Sequence, residues 1–271
     1  ERDFSAIRVL FDRVQNNNYK VKIDDQTSND LNLEQVFAEI DHTLSSPGET
    51  GLYNILRKPV FAESELNKRN KIISMFQENN KTREEVRLQL LDLGRERTNG
   101  LAQFLWGDIP APTPYGLLLN MMALLPLLLL VSLPFFGGVS LILLVIVMTI
   151  NGGIIHLFKK RFFSRLPTNT IGYLRSLINT AQKISSLNVS EIEDYQTELK
   201  QLTEKVNKLV KRISNIMPSA VQGEMDILYQ YLNIMFLIEV RSFNSSLFTI
   251  NKYIDQLKQI YLIVAELDSL Q

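Results

Sequence analysis

The feature that most constrains this chain is an uncharged stretch: from Ile109 to Phe158 there is no Asp, Glu, Lys or Arg. Two apolar segments within it, residues 116–133 and 139–158, each have about the 20 residues that a helix needs to cross a ~30 Å hydrocarbon core. Residues 134–138, Pro-Phe-Phe-Gly-Gly, predict a tight turn between them. Because a chain in lipid must satisfy its own backbone hydrogen bonds, both segments should be helical. The sequence therefore predicts a transmembrane helical hairpin over residues 116–158.

Two other interpretations of this stretch are weaker. A hairpin buried in a soluble core would not need helices that are apolar on every face, and these segments show no polar stripe. An ion pathway would need charged residues inside the membrane, and there are none. The polar exceptions are Asn120 near the start of the hairpin, Thr149, and Asn151 and His156 near its end.

Basic residues directly after the hairpin indicate its orientation. We call them the membrane collar: Lys159, Lys160, Arg161 and Arg165. Positive charge next to a membrane helix favours the cytoplasmic side. Two crossings return the chain to its starting side, so the sequence predicts a multi-pass membrane protein with both flanking parts in the cytoplasm. Residues 109–115 form a Pro-rich connector before the hairpin.

Composition and motifs argue against chemistry in this chain. There are 29 basic and 29 acidic residues, so the strongly basic character typical of nucleic-acid-binding domains is absent. No Cys is present, which excludes disulfides and thiol catalysis, and no phosphate-loop motif is found. The acidic and imidazole side chains before the hairpin show no recurring metal-ligand spacing: Asp24, Asp25, Asp30, Asp41 and His42. We therefore assign no catalytic, cofactor-binding or metal residues, and expect a non-enzymatic chain.

The part before the hairpin is predicted to be mostly helical. Residues 1–23 indicate a short helix followed by a short strand at Tyr19–Ile23, where apolar residues alternate with Lys. Residues 24–108 indicate a series of helices. The Pro47-Gly48 break starts one of them, with Ser46 as its cap, and Ser64 is predicted to cap the next.

The part after the hairpin contains the most regular helical pattern. Residues 159–189 should form the collar and a helix, and residues 190–217 a coiled-coil-like helix that opens with a capping box at Ser190. Residues 218–271 should form one or two returning helices. Apolar residues at alternating spacings of three and four define what we call the seam: Ile192, Tyr195, Leu199, Leu202, Val206, Leu209, Ile213 and Ile216.

A basic face lies on the same helix, formed by Lys205, Lys208, Lys211 and Arg212. A solvated helical face is the ordinary interpretation of such a pattern. Contact with anionic lipid or with a nucleic-acid backbone is the functional alternative.

Before the hairpin, four motifs occur in a recognisable order. They are Asp25-x-Thr27-x-Asn29-x-Leu31, then Asp41-x-Thr43 with Ser46-Pro47-Gly48, then Leu56-Arg57-Lys58-Pro59, and then Arg69 with Ile72 and Phe76. This order resembles the start of the core (lever) domain of MutS, the mismatch-repair ATPase, over about 55 residues. After the hairpin, residues 265–270 are similar to the stretch where that lever returns to the ATPase domain. The membrane hairpin stands where the DNA-gripping clamp of the family normally interrupts the core helices.

The resemblance implies a function as well as a fold. It implies a mostly α lever and coiled-coil arrangement with an inserted hairpin, in which long helices transmit movement between an ATPase domain and DNA or the membrane. ATP and Mg²⁺ would bind in that further domain, so we interpret the present chain as a fragment. Expected partners are membrane lipid, a second copy of the chain and DNA. The alternative is a membrane-anchored coiled-coil scaffold with no nucleic-acid role. We expect Pro47, Gly48 and the seam to act mechanically.

Overall fold

The structure is a computed structural model that describes residues 3–14, 22–96, 98–107, 109, 111–160, 168–187, 189–216 and 224–271, with backbone only at 168–169, 208–216 and 224–226. The described residues are mostly helical and include no strand, which confirms the mostly α class. The helices in chain order are α1 (Phe4–Ile7), α2 (Val9–Arg13), α3 (Asp25–Asp30), α4 (Leu33–Ile40), α5 (Ser46–Arg57), α6 (Glu63–Glu78), α7 (Asn80–Leu93), α8 (Gly100–Trp106), α9 (Gly116–Phe136), α10 (Gly138–Phe158), α11 (Thr168–Ser185), α12 (Glu193–Ile216), α13 (Glu224–Phe236), α14 (Ile238–Lys252) and α15 (Ile254–Ser269).

The chain divides into two compact units, and each consists of segments that are separated in sequence. The core unit comprises residues 1–108, 173–207 and 253–271, and the hairpin unit comprises residues 109–172 and 208–252. The boundaries between the units fall within α11 and α12 and directly after α14. The predicted segments 159–189, 190–217 and 218–271 therefore each contribute to both units.

The centre of the core unit is α5, in which every residue except Ile55 and Leu56 is buried. Helix α15 packs closely against it. A Cβ added to Gly51 would lie 2.9 Å from the Cβ of Ala265, so the small residue is what allows this approach. At the other end of α5, Tyr53 belongs to an apolar cluster with Ile7, Phe11, Phe37 and Leu52.

Several predicted helix starts are wrong by one or more residues. Ser45, not Ser46, caps α5, and its Oγ accepts from the Gly48 amide at 3.2 Å. Ser64 does not cap α6, because the helix begins at Glu63 and Ala62 occupies the cap position. The capping box at Ser190 does not form, because that hydroxyl donates to Glu191 and a 3₁₀ turn over residues 190–192 precedes α12. At each of these helix starts, several neighbouring polar side chains can form a local hydrogen bond to the backbone. The local sequence therefore does not decide which of them caps the helix.

The predicted strand over residues 19–23 is absent from the two of these residues that the structure describes. Residues 19–21 lie outside the described residues, and Lys22 and Ile23 form no strand. Instead, the Ile23 amide donates to the backbone carbonyl of Arg57 at 2.9 Å.

The described part of the returning segment, residues 224–271, contains three helices, whereas one or two were predicted. Leu237 adopts the left-handed conformation (φ 51°) between α13 and α14, and Tyr253 separates α14 from α15. A leucine rarely adopts the left-handed conformation, and this one lies within a run of apolar residues typical of a continuous helix. The sequence therefore does not indicate the break. Leu237 is fully buried, which means that packing of its side chain accompanies the turn.

Candidate membrane anchor and core clasp

Helices α9 and α10 are each 21 residues long and both are apolar enough to cross a membrane. At 1.5 Å per residue each spans about 31 Å, which matches the hydrocarbon thickness of a bilayer. The reversal lies within the predicted turn at residues 134–138 but is shorter than predicted, because α9 continues through Pro134 to Phe136. The reversal occurs at Gly137, whose φ of 53° suits glycine, and its amide donates to Leu133 O at 2.9 Å.

The side chains of this hairpin are distributed as in a lipid-facing protein. Large apolar residues point outward, with Leu117 76 % exposed and Phe135 81 % exposed, whereas Ser140 and Asn151 are buried. A core helix of a soluble protein would bury its apolar residues instead. Ser132 and Ser140 form a hydrogen bond of 2.8 Å between the two helices, an arrangement that is common where small polar residues join membrane helices.

Deeper in the hairpin unit, Asn151 is fully buried against α13. Its Nδ2 donates to the carbonyl of Met235 at 3.3 Å, and its Oδ1 has no partner among the described residues. The sequence placed Asn151 near water at the end of the hairpin. The structure corrects this, because the side chain is instead covered by a helix from the far end of the chain.

At the base of the hairpin, α14 makes polar contacts with both hairpin helices. Arg241 Nε donates to Asn120 Oδ1 at 2.7 Å in the first turns of α9. Lys159, at the end of α10, lies 3.1 Å from Glu239 Oε2. Before α9, the Thr113 amide donates to Asn244 Oδ1 at 2.6 Å. Charged and amide groups therefore cluster at the end of the hairpin that lies opposite the reversal at Gly137.

In the core unit, one carboxylate joins two segments that lie 224 residues apart in sequence. Asp268 of α15 accepts from the backbone amides of Leu44 (3.0 Å) and Ser45 (2.8 Å) and from the Ser45 hydroxyl. We call this arrangement the core clasp. Burial raises the pKa of Asp268 despite these hydrogen bonds. A Cβ on Gly48 would lie 2.1 Å from Asp268 Oδ2, so only glycine fits there.

A second buried carboxylate lies nearby, but it has a cation beside it. Asp41 Oδ2 is 3.0 Å from Arg95 Nη2, and its Oδ1 accepts from the Thr43 amide at 3.0 Å. Arg95 also lies 3.0 Å from Glu49 of α5. Burial of Asp41 raises its pKa, but the hydrogen bonds from Thr43 and the charge of Arg95 outweigh this and place the pKa below its ordinary value.

The predicted mechanical residues are divided between the two units, because the seam continues past residue 207, where that segment of the core unit ends. Pro47 and Gly48 stand at the start of α5 beside the core clasp. The first five residues of the seam, from Ile192 to Val206, are buried, whereas the side chains of Leu209, Ile213 and Ile216 lie outside the described residues. Gln196, on the same helix, donates to the carbonyls of Ile184 (3.1 Å) and Leu187 (2.6 Å) at the end of α11.

The predicted basic sites are only partly described. Lys159 pairs with Glu239 and Lys160 is exposed, while Arg161 and Arg165 lie outside the described residues. Lys205 is exposed, and the side chains of Lys208, Lys211 and Arg212 also lie outside the described residues. Within the described part of the chain, no group of three or more His, Cys, Asp or Glu side chains is placed to hold a metal ion.

Sequence reasoning missed the residues that organise both units. Asp268 and Arg95 in the core unit, and Asn120 and Arg241 in the hairpin unit, each act through a partner far away in sequence. Asn120 carried a signal as a polar residue in an otherwise apolar segment, and Asp268 lies in the stretch at residues 265–270 that the sequence analysis singles out. No family model, curated protein or solved structure matches this chain.

Proposed function

We propose that this chain is the non-catalytic core/lever module of a membrane-anchored MutS-like ATPase. The observation that carries the proposal is the core clasp. The segment at residues 41–48 resembles the beginning of the family's lever, and the segment at residues 265–270 resembles its return. Asp268 connects these two segments directly by hydrogen bonds, although the hairpin separates them in sequence.

In the proposed mechanism, movement enters through α15 and is transmitted to α5. The two helices are in close contact at Gly48 and Gly51, and Asp268 binds the start of α5. Close-packed helices move together, because a gap would cost both contacts and buried hydrogen bonds. ATP hydrolysis with Mg²⁺ would take place in a further domain, as the resemblance implies, and DNA or the membrane would receive the displacement.

The hairpin would anchor the module, with both flanking parts in the cytoplasm. This part of the proposal rests on the outward-facing apolar residues of α9 and α10 and on Lys159 and Lys160 at the end of α10. Since the chain has no Cys, single substitutions can report its topology. In intact cells, we expect an impermeant maleimide to label Phe136→Cys. It should label Lys81→Cys only after permeabilisation, and the reverse pattern would contradict this orientation.

Binding of nucleic acid is tested with the whole chain in nanodiscs of zwitterionic lipid. We expect association with duplex DNA at low ionic strength that weakens at physiological ionic strength, because phosphate contacts release counterions. Empty nanodiscs are the control. Background binding at both ionic strengths would remove the nucleic-acid role. It would favour the second candidate, a membrane-anchored scaffold, which the zero net charge of the chain also fits.

A further inference from the structure

Between the first turn of α9 and the first half of α14 lies an open cleft of about 440 Å³. Its walls include Gly116 and Asn120 from α9 and Arg241, Ser242 and Ser245 from α14, all within the hairpin unit. None of the residues that line this cleft is acidic. The cleft is therefore a neutral-to-basic depression beside an apolar helix.

The position of the cleft follows from the ends of the hairpin helices. Helix α9 begins at Gly116, which lines the cleft, and α10 ends at Phe158, whose ring packs edge-on against Phe243 of α14 at 5.3 Å. If the hairpin spans the membrane, as the proposed function holds, this level is the membrane surface. The phosphate groups of lipids lie at that depth.

Among the described residues that line the cleft, Arg241 is the one cation, and it is held in place while one of its guanidinium nitrogens keeps free donors. Its Nε donates to Asn120 Oδ1 at 2.7 Å and its Nη1 approaches Phe236 O at 3.4 Å. Its Nη2 has no partner among the described residues. The nearest acid on the same helix, Glu239, is engaged with Lys159 at 3.1 Å. A guanidinium fixed in this way presents a charged donor edge to the cleft.

The remaining polar groups of the cleft can also donate. The hydroxyls of Ser242 and Ser245 make no hydrogen bond within the described part of the chain. Asn244 accepts from Thr113 through Oδ1, which leaves its amide nitrogen as a donor. A fixed guanidinium with hydroxyl and amide donors around it matches the oxygen atoms of a phosphate group.

We propose that this cleft binds the phosphate group of an anionic phospholipid, with Arg241 as the principal contact and Asn120 as the residue that positions it. Basic pockets beside membrane helices on the cytoplasmic side commonly bind such headgroups. The lipid chains would lie along the exposed apolar residues of α9, beginning with Leu117. Free phosphate shares the headgroup chemistry but lacks the chains, so the two ligands can be separated experimentally.

The experiment uses the detergent-solubilised whole chain and native mass spectrometry with increasing phosphatidylglycerol or phosphatidylcholine. We expect a first phosphatidylglycerol to bind more tightly than phosphatidylcholine. Arg241→Gln should weaken that binding about tenfold, the loss expected for one charge-assisted contact. Asn120→Ala should weaken it about threefold by freeing the guanidinium. Arg241→Lys should give an intermediate affinity, because lysine keeps the positive charge but lacks the planar guanidinium that donates two parallel hydrogen bonds.

The matched control is Arg87→Gln, which removes an exposed arginine from α7 of the core unit and should leave lipid binding unchanged. Equal losses in Arg87→Gln and Arg241→Gln would overturn the inference in favour of general electrostatics. Displacement of phosphatidylglycerol by millimolar inorganic phosphate would overturn the choice of a lipid. Membrane retention of the same variants is measured in membranes before solubilisation, so a chain that stays in membranes without headgroup preference refutes the cleft but not the anchor.

Discussion

The core unit and the hairpin unit are both helical, but they differ in how many of their large apolar side chains are exposed and in which polar groups they bury. The core unit buries its apolar residues together with carboxylates such as Asp41 and Asp268. The hairpin helices expose Leu and Val residues and bury Ser140 and Asn151. The comparison teaches that helix content alone does not determine which side chains are buried. Whether water or lipid surrounds a helix determines which side chains stabilise the fold when they are buried.

The two units also differ in the polar groups that they can bury. In the core unit, Asp41 and Asp268 each accept backbone amides, and Asp41 and Glu49 both have Arg95 beside them. Within the hairpin helices, the buried polar groups are one hydroxyl, that of Ser140, and one amide, that of Asn151. An ionised group in hydrocarbon costs several kcal/mol, whereas a neutral one costs much less once it has a single hydrogen bond. Three substitution experiments test this contrast.

The largest effect is expected from charges placed on the exposed face of the hairpin. Leu128→Lys combined with Val145→Lys puts two cations near the helix centres, at side chains that are 55 % and 57 % exposed. If lipid covers these positions, insertion should lose about 5–7 kcal/mol, and the membrane-retained fraction after alkaline extraction should fall sharply.

The control for this experiment is Leu88→Lys with Leu91→Lys on α7 of the core unit, where the side chains are equally exposed. These changes should leave membrane retention unaltered. If the hairpin variant behaved like this control, or if the unmodified chain stayed monodisperse without detergent, water and not lipid would surround α9 and α10. The contrast between the units would then disappear.

A smaller effect is expected at glycines, which the two units use differently. Gly48→Ala would force its Cβ into Asp268 and disrupt the hydrogen bonds to Leu44 and Ser45, at a cost of about 3 kcal/mol in unfolding free energy. Gly153→Ala on α10 meets no atom within 4 Å and should change stability by less than about 1 kcal/mol. Chemical unfolding in detergent measures both. Equal costs would show that the core clasp does not constrain residue size.

The smallest effect distinguishes the two buried carboxylates by pH. At neutral pH, Asp41→Asn and Asp268→Asn should each cost about 1–3 kcal/mol, because buried donors lose a charged acceptor. The pKa of Asp41 is lowered in the fold, so its stabilisation is present above the ordinary value of 3.8 and is lost on acidification. The pKa of Asp268 is raised, so its contribution is largest below 3.8 and declines as pH rises.

The cost of Asp41→Asn should therefore shrink as pH falls, and the cost of Asp268→Asn should grow. The measurement is the unfolding free energy of each variant relative to the unmodified chain at neutral and acidic pH, which cancels groups common to both. Asp255→Asn in the exposed first turn of α15 serves as the reference for a solvated carboxylate. If both costs changed in the same direction with pH, Arg95 would not be the cause of a difference between the pKa values of Asp41 and Asp268.

Local patterns predicted the helices well and their ends less well. The two apolar helices within 116–158 and the mostly α class were confirmed, and the helix expected to start at the Pro47-Gly48 break is present. The reversal at Gly137 falls within the predicted turn, whereas the cap at Ser45 was misplaced and the break at Leu237 was missed. At a helix end, several residues offer nearly equal local energies, so distant packing selects among them. The lever arrangement remains a prediction.

The sequence by itself determined that residues 116–158 form two apolar helices, because hydrophobicity and length act within each segment and need no distant partner. Only the tertiary structure decided that Asp268 clasps the start of α5, that Arg241 is held by Asn120, and that Asn151 is covered by α13. Each of these contacts joins residues far apart in the chain. The energy of each contact depends on the distance and orientation between its two groups. Such a contact produces no periodic pattern in the sequence from which it could be predicted.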